Sequence, residues 1–251
     1  MSDDRKVAIV TGASRGLGKA LCIQLCQQGY DVAGLARSKQ KLAELEAGVS
    51  ALPGQFSSVS VDVADGPAMA AAVNEVKTHY GSIDLAIANA GISEAGWAAK
   101  QSPEKIHRLF QVNFMGMIHL FSPLIPEMIE RKRGHLVGIV SIAGYRGMPA
   151  LSAYAASKAA MRSYLETLRI ELKSRGITVS SICPGYFETD MTSDRARPMP
   201  FLISVEKAAA HVMKAIDAKA SEVVFPFPMA LSTRLLNFLP NSIYDIIVKF
   251  L

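Results

Sequence analysis

The sequence predicts an α/β domain in which six or seven parallel strands form one doubly wound sheet with helices on both faces. Short apolar runs alternate with longer helix-forming stretches along the chain. These runs lack the polar alternation of half-exposed strands, which is typical of strands buried on both faces. No repeat, low-complexity tract or linker interrupts the alternation, so we expect residues 1–251 to form one domain.

A glycine-rich turn follows the first apolar run, residues 7–10, and leads directly into a helix-forming stretch. Strand, glycine turn and helix in this order are typical of dinucleotide binding, because the free amides at a helix N-terminus bind phosphate. In this pattern Gly12 permits the tight turn, Gly16 lets the backbone approach a pyrophosphate, and Gly18 allows helix and strand to pack closely. We therefore expect a Rossmann-like fold. The predicted cofactor contacts in the turn are Gly12, Ser14, Arg15, Gly16, Leu17 and Gly18.

The end of the second predicted strand bears on the choice of cofactor. This strand, residues 31–36, ends at Ala36, where NAD-binding proteins carry an acidic residue that holds the ribose 2′-hydroxyl. Arg37 and Ser38 follow instead, and Arg15 lies in the glycine-rich turn. Two guanidinium groups without a carboxylate suit a 2′-phosphate. We predict NADP(H), although Arg37 is also compatible with an ordinary exposed position at a helix start.

Two more strands end in residues suited to a nucleotide. One strand, residues 56–61, leads into Asp62-Val63, and the other, residues 83–88, leads into Asn89-Ala90-Gly91. Nucleotides bind outside the carboxyl ends of parallel strands. Asp62 is therefore placed either to bond the adenine or to cap the helix that begins after Asp65. The small residues of the second motif leave room for a ribose.

Tyr154 and Lys158 are the strongest candidates for acid–base chemistry. They lie four residues apart in a helix-forming stretch, and therefore on one helix face. A phenol titrates at about pH 10, and a nearby ammonium lowers that pKa towards a useful range. Ser141 closes a buried apolar run, residues 136–140, where its hydroxyl can polarise a carbonyl while the tyrosine supplies a proton. Taken alone, the Tyr/Lys spacing also fits two ordinary residues on a helix surface.

Composition excludes several other functions. The net charge of +5 comes from scattered basic residues, which argues against nucleic-acid binding, and five dispersed histidines lack the spacing of a metal site. Three cysteines cannot all pair, so we interpret them as buried thiols in a reducing compartment, the cytoplasm. The polar N-terminus is unlike a signal peptide, and no window of 18 uninterrupted apolar residues predicts a transmembrane segment.

These motifs together make the chain resemble the short-chain dehydrogenase/reductase family in its single-domain form. The resemblance covers roughly residues 5–225. Five signals agree in order and spacing: the glycine-rich turn, Asn89-Ala90-Gly91, Asn113, Ser141 with Tyr154 and Lys158, and Pro184-Gly185 with Thr189. The resemblance implies an NADP(H)-dependent enzyme that interconverts a carbonyl and an alcohol.

The resemblance also implies a role for each motif. Tyr154 would be the general acid/base and Ser141 would orient the carbonyl. Lys158 would lower the tyrosine pKa and bind the nicotinamide ribose, and Asn113 would help hold a water that relays protons to Lys158. Asn113 is equally compatible with a buried amide whose hydrogen bonds are satisfied. The remaining implied cofactor contacts are Arg37, Ser38, Asp62, Val63, Asn89, Ala90, Gly91, Pro184, Gly185 and Thr189, and Tyr154 is implied to contact the cofactor as well.

The C-terminus departs from acyl-carrier-protein reductases of this family, which end in a short glycine-rich strand. Here Pro226-Phe-Pro228 leads into an apolar extension, residues 226–251. This departure favours a lipid-, steroid- or ketone-like substrate over a 3-oxoacyl one, and a nucleotide-sensing interaction protein is the rival from outside the enzymes. The candidate substrate contacts are Tyr145, Met148, Tyr186, Phe187, Met191, Met199 and Phe201.

Two surfaces are expected to make larger contacts. Family members pair the helices that correspond to residues 102–131 and 151–175 into a four-helix bundle, which implies a homo-oligomer. In the extension, a second helix carries one apolar stripe that comprises Ile243, Ile246, Ile247, Phe250 and Leu251. We expect the stripe to pack over the substrate cleft or against a partner subunit, with peripheral contact to a membrane surface as the alternative.

Overall fold

A computed structural model of the chain describes residues 5–188 and 199–248, and shows seven parallel strands in one sheet. The strands are β1 (Val7–Thr11), β2 (Asp31–Ala36), β3 (Phe56–Ser60), β4 (Leu85–Ala88), β5 (Gly134–Ile139), β6 (Ile177–Pro184) and β7 (Glu222–Phe225). Their order is β3-β2-β1-β4-β5-β6-β7. The order reverses between β1 and β4, which opens a crevice at the carboxyl ends of these strands. The predicted doubly wound sheet is confirmed.

Helices cover both faces of the sheet. They are α1 (Gly16–Gln27), α2 (Lys39–Val49), α3 (Gly66–Tyr80), α4 (Pro103–Phe110), α5 (Gly116–Phe121), α6 (Ile125–Arg131), α7 (Ser152–Lys173), α8 (Val205–Asp217), α9 (Phe227–Phe238) and α10 (Asn241–Val248). Helices α1, α2 and α8 contribute Leu21, Leu45 and Val212 to the core on one face. Helices α3 to α7 enclose the other core, which includes Phe121 and Leu165.

Polar side chains set where the helices begin. Ser102 accepts a hydrogen bond from the Lys105 amide, and Pro103 occupies the first position of α4. Ser204 caps α8 in the same way through the Lys207 amide. Asp65, not Asp62, caps α3 by accepting from the Ala68 amide.

The helix predicted over residues 102–131 is not regular. A π-helical turn, Gln111–Met115, joins α4 to α5, and residues 122–124 separate α5 from α6. The run Pro103–Arg131 is long and apolar enough to cross a membrane by length and composition alone. Because it carries Leu109, Phe121 and Met128 at full burial, it is a core helix of this fold.

The C-terminal extension forms the two predicted helices, α9 and α10. The apolar stripe of α10 is not buried within the chain, since Ile243 and Ile246 are 47% and 61% exposed. Tyr244 is the side chain that α10 buries. The described members of the stripe therefore do not pack over the cleft, and contact with a partner subunit or with a membrane surface stays a prediction. Phe250 and Leu251 lie outside the described residues.

Candidate active site

A cavity of about 470 Å³ lies at the carboxyl edge of the sheet. It extends along the crevice from the glycine-rich turn to α7, and Ser141, Tyr154 and Lys158 line it together with most of the predicted nucleotide contacts. The nucleotide contacts that line it are Gly12, Ser14, Arg15, Gly16, Leu17, Gly18, Arg37, Asp62, Val63, Asn89, Ala90, Gly91, Pro184 and Gly185. Ser38 and Asn113 do not line it, and Thr189 lies outside the described residues.

Backbone geometry at the glycine-rich turn explains its glycines. Gly12 has a φ of +71°, and a Cβ there would stand 2.9 Å from the Asn89 amide nitrogen. A Cβ at Gly18 would stand 2.2 Å from the Gly12 carbonyl oxygen. Any side chain at either position would push α1 away from β1 or break the turn. The turn is therefore held close to the crevice, as a phosphate-binding turn requires.

Thr11 and Asn89 bind the ends of β1 and β4 to each other. The buried Thr11 hydroxyl accepts from the amides of Asn89 and Ala90 at 3.0 and 3.1 Å. The Asn89 side chain in turn donates to the Thr11 carbonyl at 2.9 Å. This network fixes the position of the turn beside Asn89-Ala90-Gly91. Thr11 was not singled out from the sequence, because one threonine at a strand end carries no signal of such a role.

The end of the cavity beside β2 carries exposed guanidinium groups from Arg15 and Arg37. Ala36, which directly precedes Arg37, also lines the cavity. An NAD-specific protein would place its carboxylate at this position. Ser38 instead caps α2, accepting from the Lys41 amide at 3.4 Å. The position of the two arginines suits an anionic group on the adenosine ribose.

Arg108 is a cavity residue that sequence reasoning missed. It reaches from α4 across the cavity wall and donates to Asp62 Oδ2 at 2.6 Å, while Asp62 Oδ1 accepts from the Ala64 amide at 3.0 Å. Partial burial acts to raise the pKa of Asp62, but these two hydrogen bonds and the charge of Arg108 lower it below its ordinary value. Asp62 is therefore a carboxylate, and its oxygens retain lone pairs that can accept hydrogen bonds from a nucleotide base.

The catalytic candidates converge on one wall of the cavity. Ser141 follows β5 and caps a short 3₁₀ turn, Ile142–Gly144, by accepting from the Ala143 amide at 3.2 Å. Tyr154 and Lys158 lie one turn apart near the start of α7, with the Lys158 Nζ 5.8 Å from the centre of the tyrosine ring. This geometry places a hydroxyl, a phenol and an ammonium around a shared space, which is what proton transfer to a carbonyl requires.

Lys158 is buried, and its position is fixed. Its Nζ donates to the Ile139 carbonyl at 2.9 Å and contacts the Met161 sulfur at 3.6 Å. Burial lowers the pKa of Lys158 from 10.5 to about 8, with the Cys183 thiol acting weakly in the opposite direction. At neutral pH the group is still an ammonium, so it places a positive charge beside the Tyr154 ring.

Asn113 lies in the π-helical turn and is almost fully buried. Its Oδ1 accepts from the Ile92 amide at 2.8 Å, and its Nδ2 donates to the Ile92 carbonyl and to Ser157 Oγ at 3.0 and 3.1 Å. Ser157 Oγ donates to the Tyr154 carbonyl at 2.8 Å. The hydrogen bonds of the Asn113 amide are thus made within the protein, and they link the residues that follow β4 to α7. A role in a water relay to Lys158 stays a prediction.

The cavity also fits a nicotinamide dinucleotide at the end nearest the catalytic wall. Gly91 has no side chain, which leaves this space open; a Cβ there would stand at a tight 3.3 Å from Asn113 Oδ1 and in ordinary contact with Lys158 Nζ at 3.6 Å. The Ser93 hydroxyl lines the same cavity, and its oxygen is buried without a hydrogen-bond partner among the described residues. An open space with an unsatisfied hydroxyl and a buried ammonium fits a polar group such as a ribose.

The substrate candidates divide into three groups. Met148, Tyr186 and Phe187 line the cavity, together with Leu151, which was not predicted. Tyr145 does not line it; its ring lies under the Arg162 guanidinium at 4.3 Å. Of the remaining candidates, Met199 and Phe201 do not line the cavity, and Met191 lies outside the described residues.

No group of three His, Cys, Asp or Glu side chains is placed to hold a metal ion in residues 5–188 and 199–248.

Comparison with known proteins agrees with this chemistry. The chain is 35% identical to an uncharacterized oxidoreductase from Myxococcus xanthus, over 96% of this chain and 95% of the relative. It is 32% identical to the 3-oxoacyl-[acyl-carrier-protein] reductase FabG of Staphylococcus epidermidis, over 75% and 78% of the two chains. A short-chain dehydrogenase from Streptomyces avermitilis has a similar structure, with a TM-score of 0.83 and 28% identity over 100% of this chain and 97% of the other.

The family model of the short chain dehydrogenases matches residues 6–199, which contain the glycine-rich turn and all four catalytic candidates. Members of that family are oxidoreductases that use NAD(H) or NADP(H). On this evidence the chain belongs to the short-chain dehydrogenase/reductase family.

Proposed function

We propose that the protein is an NADP(H)-dependent oxidoreductase that interconverts a carbonyl and an alcohol on an apolar substrate. The observation that carries the proposal is the cavity that Ser141, Tyr154 and Lys158 share with the glycine-rich turn and the two arginines beside β2. The dinucleotide, when bound, supplies or accepts a hydride. The protein supplies the proton and the orientation.

Each catalytic side chain has a role in the proposed reduction. Ser141 donates a hydrogen bond to the carbonyl oxygen and orients it. Tyr154 transfers its phenolic proton to that oxygen as negative charge develops there. The Lys158 ammonium stabilises the phenolate that remains, and its own orientation is fixed by the Ile139 carbonyl. Oxidation of an alcohol uses the same groups in reverse, with Tyr154 as the base.

The preference for NADP(H) is expected to rest on Arg15 and Arg37. Changing Ala36→Asp together with Arg37→Leu should weaken NADPH binding by about tenfold to a hundredfold, since charge-assisted hydrogen bonds contribute about 1.5–3 kcal/mol each. The same variant should bind NADH more tightly, because a carboxylate repels a 2′-phosphate but accepts from a 2′-hydroxyl. Both dissociation constants can be measured by fluorescence titration.

Arg175→Leu, a change of an exposed arginine beyond the end of α7, is the matched control and should bind NADPH like the wild type. Wild-type protein that binds NADH and NADPH with equal affinity would overturn the assignment of NADP(H).

The substrate class follows from the apolar lining. Met148, Leu151 and Phe187 line the cavity, and a hydrophobic ketone would remove their surface from water. A second candidate function is 3-oxoacyl reduction, which the similarity to FabG of Staphylococcus epidermidis favours. The C-terminal helices α9 and α10 stand where acyl-carrier-protein reductases end in a short glycine-rich strand, which favours the apolar ketone. Comparing kcat/KM for an apolar ketone and a 3-oxoacyl thioester separates the two.

We also infer a reducing location, the cytoplasm. Cys22, Cys26 and Cys183 are all free and buried. Burial raises the pKa of Cys26 and of Cys183 to about 11, so both remain unreactive thiols at neutral pH.

The rival function, a nucleotide-sensing interaction protein, would bind NADPH without turnover, and the complete set of Ser141, Tyr154 and Lys158 favours the enzyme.

A homo-oligomer is expected through the helical run 102–131 and α7. Ile170 on α7 is 65% exposed in one chain, as a residue buried only in an assembly would be. Light scattering should give at least twice the mass of one chain, and Ile170→Asp should lower that mass. Lys173→Asp, near the end of the same helix, is the charge control. A wild-type mass equal to one chain at micromolar concentration would contradict the prediction.

A further inference from the structure

The segment that joins Ser141 to α7 forms part of the cavity wall. Within residues 145–151, Met148 and Leu151 line the cavity, and neither belongs to a regular helix or strand. The Ala150 carbonyl accepts from the Gly96 amide at 2.8 Å, which holds one end of the segment. The other end depends on Arg146.

Arg146 connects this segment to the C-terminal helices. One guanidinium nitrogen, Nη1, donates to the carbonyls of Leu236 and Leu239 at 2.7 and 2.8 Å. The other, Nη2, donates to Asn241 Oδ1 at 2.7 Å. The guanidinium also lies 3.7 Å from the centre of the Tyr244 ring. One side chain therefore contacts the end of α9, the start of α10 and the residue that α10 buries.

The contact is directional as well as close. The C-terminus of α9 carries unsatisfied carbonyls and a negative partial charge, and a cation there is favourable. Helix α9 contains no acidic residue, and the guanidinium bonds to backbone carbonyls at its end. Tyr244 completes the contact by donating its hydroxyl to the Gly147 carbonyl at 2.7 Å. Segment 145–151 thus donates to the C-terminal helices through Arg146, and the C-terminal helices donate back to the segment through Tyr244.

The start of α9 contacts another residue of the cavity wall, Gly185. Met229 is buried, and its Cγ lies 3.1 Å from where a Cβ of Gly185 would stand. Gly185 lines the cavity at the end of β6, and its amide donates to the Phe225 carbonyl at 2.7 Å. Helix α9 therefore contacts a cavity residue, Gly185, near its start and Arg146 at its end.

We infer that Arg146 is a positioning residue that uses the C-terminal helices to fix segment 145–151, and with it the substrate side of the cavity. Arg146 does not line the cavity, so it acts through Met148 and Leu151. The C-terminal extension then holds segment 145–151 in place. Its exposed apolar stripe is not required for that role. The inference rests on the proposed function only in the test that measures KM for a carbonyl substrate.

The kinetic test compares Arg146→Met with Arg234→Met. Arg234 is an exposed arginine on the same helix, α9, and serves as the matched control. Arg146→Met should raise KM for the carbonyl substrate about tenfold, because charge-assisted hydrogen bonds are lost, while kcat changes little and the Kd for NADPH stays the same. Arg146→Lys should not restore KM, since one ammonium cannot reproduce the planar contacts of a guanidinium.

A second measurement needs no substrate, and it still tests the inference if the enzyme assay finds none. Hydrogen exchange should rise in both 145–151 and 227–248 in Arg146→Met, and to a smaller extent in Tyr244→Phe, which loses only the bond to Gly147. Arg234→Met should leave both segments unchanged. Unchanged exchange in 145–151, or an equal loss of NADPH and substrate affinity, would overturn the inference.

Discussion

Replacing Tyr154 with phenylalanine is expected to lower kcat for carbonyl reduction by about 10²–10⁴-fold, the usual contribution of a positioned acid–base group. The change removes the phenolic proton and almost no volume, so the Kd for NADPH should stay within about a factor of two of the wild-type value. Steady-state kinetics and a cofactor titration on the same preparation measure both quantities.

Tyr164→Phe is the matched control for this variant. Tyr164 lies on the same helix, α7, and its ring packs edge-on against Phe114 at 5.8 Å. That contact survives the loss of a hydroxyl, so the control should keep wild-type activity. A Tyr154→Phe enzyme that retains more than about a tenth of the wild-type rate would show that another group supplies the proton.

Replacing Lys158 with methionine should also remove nearly all turnover, by about 10²-fold or more. Without the ammonium, the phenolate that Tyr154 forms on proton transfer loses its stabilising charge. Cofactor binding should weaken as well, since the ammonium stands beside the space that Gly91 keeps open. Wild-type turnover in Lys158→Met would remove the lysine from the mechanism.

The same variant makes a prediction about stability. Because burial lowers the pKa of Lys158 from 10.5 to about 8, the folded protein releases this proton at a lower pH than the unfolded chain does. Below pH 8 both states hold the proton, and the folded state carries the full cost of the buried ammonium. As the pH rises from about 8 towards 10.5, the unfolded chain binds more protons, so wild-type stability increases.

Lys158→Met has no such proton to release. The free energy of unfolding of the wild type, measured relative to this variant, should therefore rise by up to roughly 3 kcal/mol between pH 7 and pH 10. Urea unfolding of both apoproteins at the two pH values measures the difference. A difference that does not change with pH would mean that Lys158 titrates at its ordinary pKa in the fold.

Much of the fold could be predicted because its signals are local. A buried strand followed by Gly12, Gly16 and Gly18 needs only adjacent residues to be recognised, and helix caps such as Ser102 act within one turn. The carboxyl ends of parallel strands also meet at one edge, so residues at successive strand ends fall into one cavity without any knowledge of strand order.

The parts that the sequence did not predict depend on contacts between distant residues. Arg108 bonds to Asp62, which is 46 positions away, and a helical arginine gives no local sign of that partner. The side-chain amide of Asn113 bonds to Ile92 and Ser157. The sequence alone does not show which polar groups of the core would be its partners. These partners are set by how the helices pack on the sheet.

The C-terminal extension shows the same limit in another form. The hydrophobic periodicity of α10 correctly predicts a helix, but not which face it buries. Tyr244 is buried because its ring stacks on Arg146 and its hydroxyl reaches the Gly147 carbonyl. The isoleucine stripe has no comparable partner within the described chain, and periodicity alone does not register that difference.

The most direct test of the proposed function is the oxidation of NADPH by purified protein with a panel of apolar ketones, followed by the absorbance of the reduced nicotinamide. We expect at least one ketone to accelerate NADPH oxidation, NADH to be a poorer donor, and Tyr154→Phe to abolish the reaction while still binding NADPH. If NADPH binds but no ketone or 3-oxoacyl thioester accelerates its oxidation, the protein is not the carbonyl reductase proposed, and a nucleotide-sensing role would take its place.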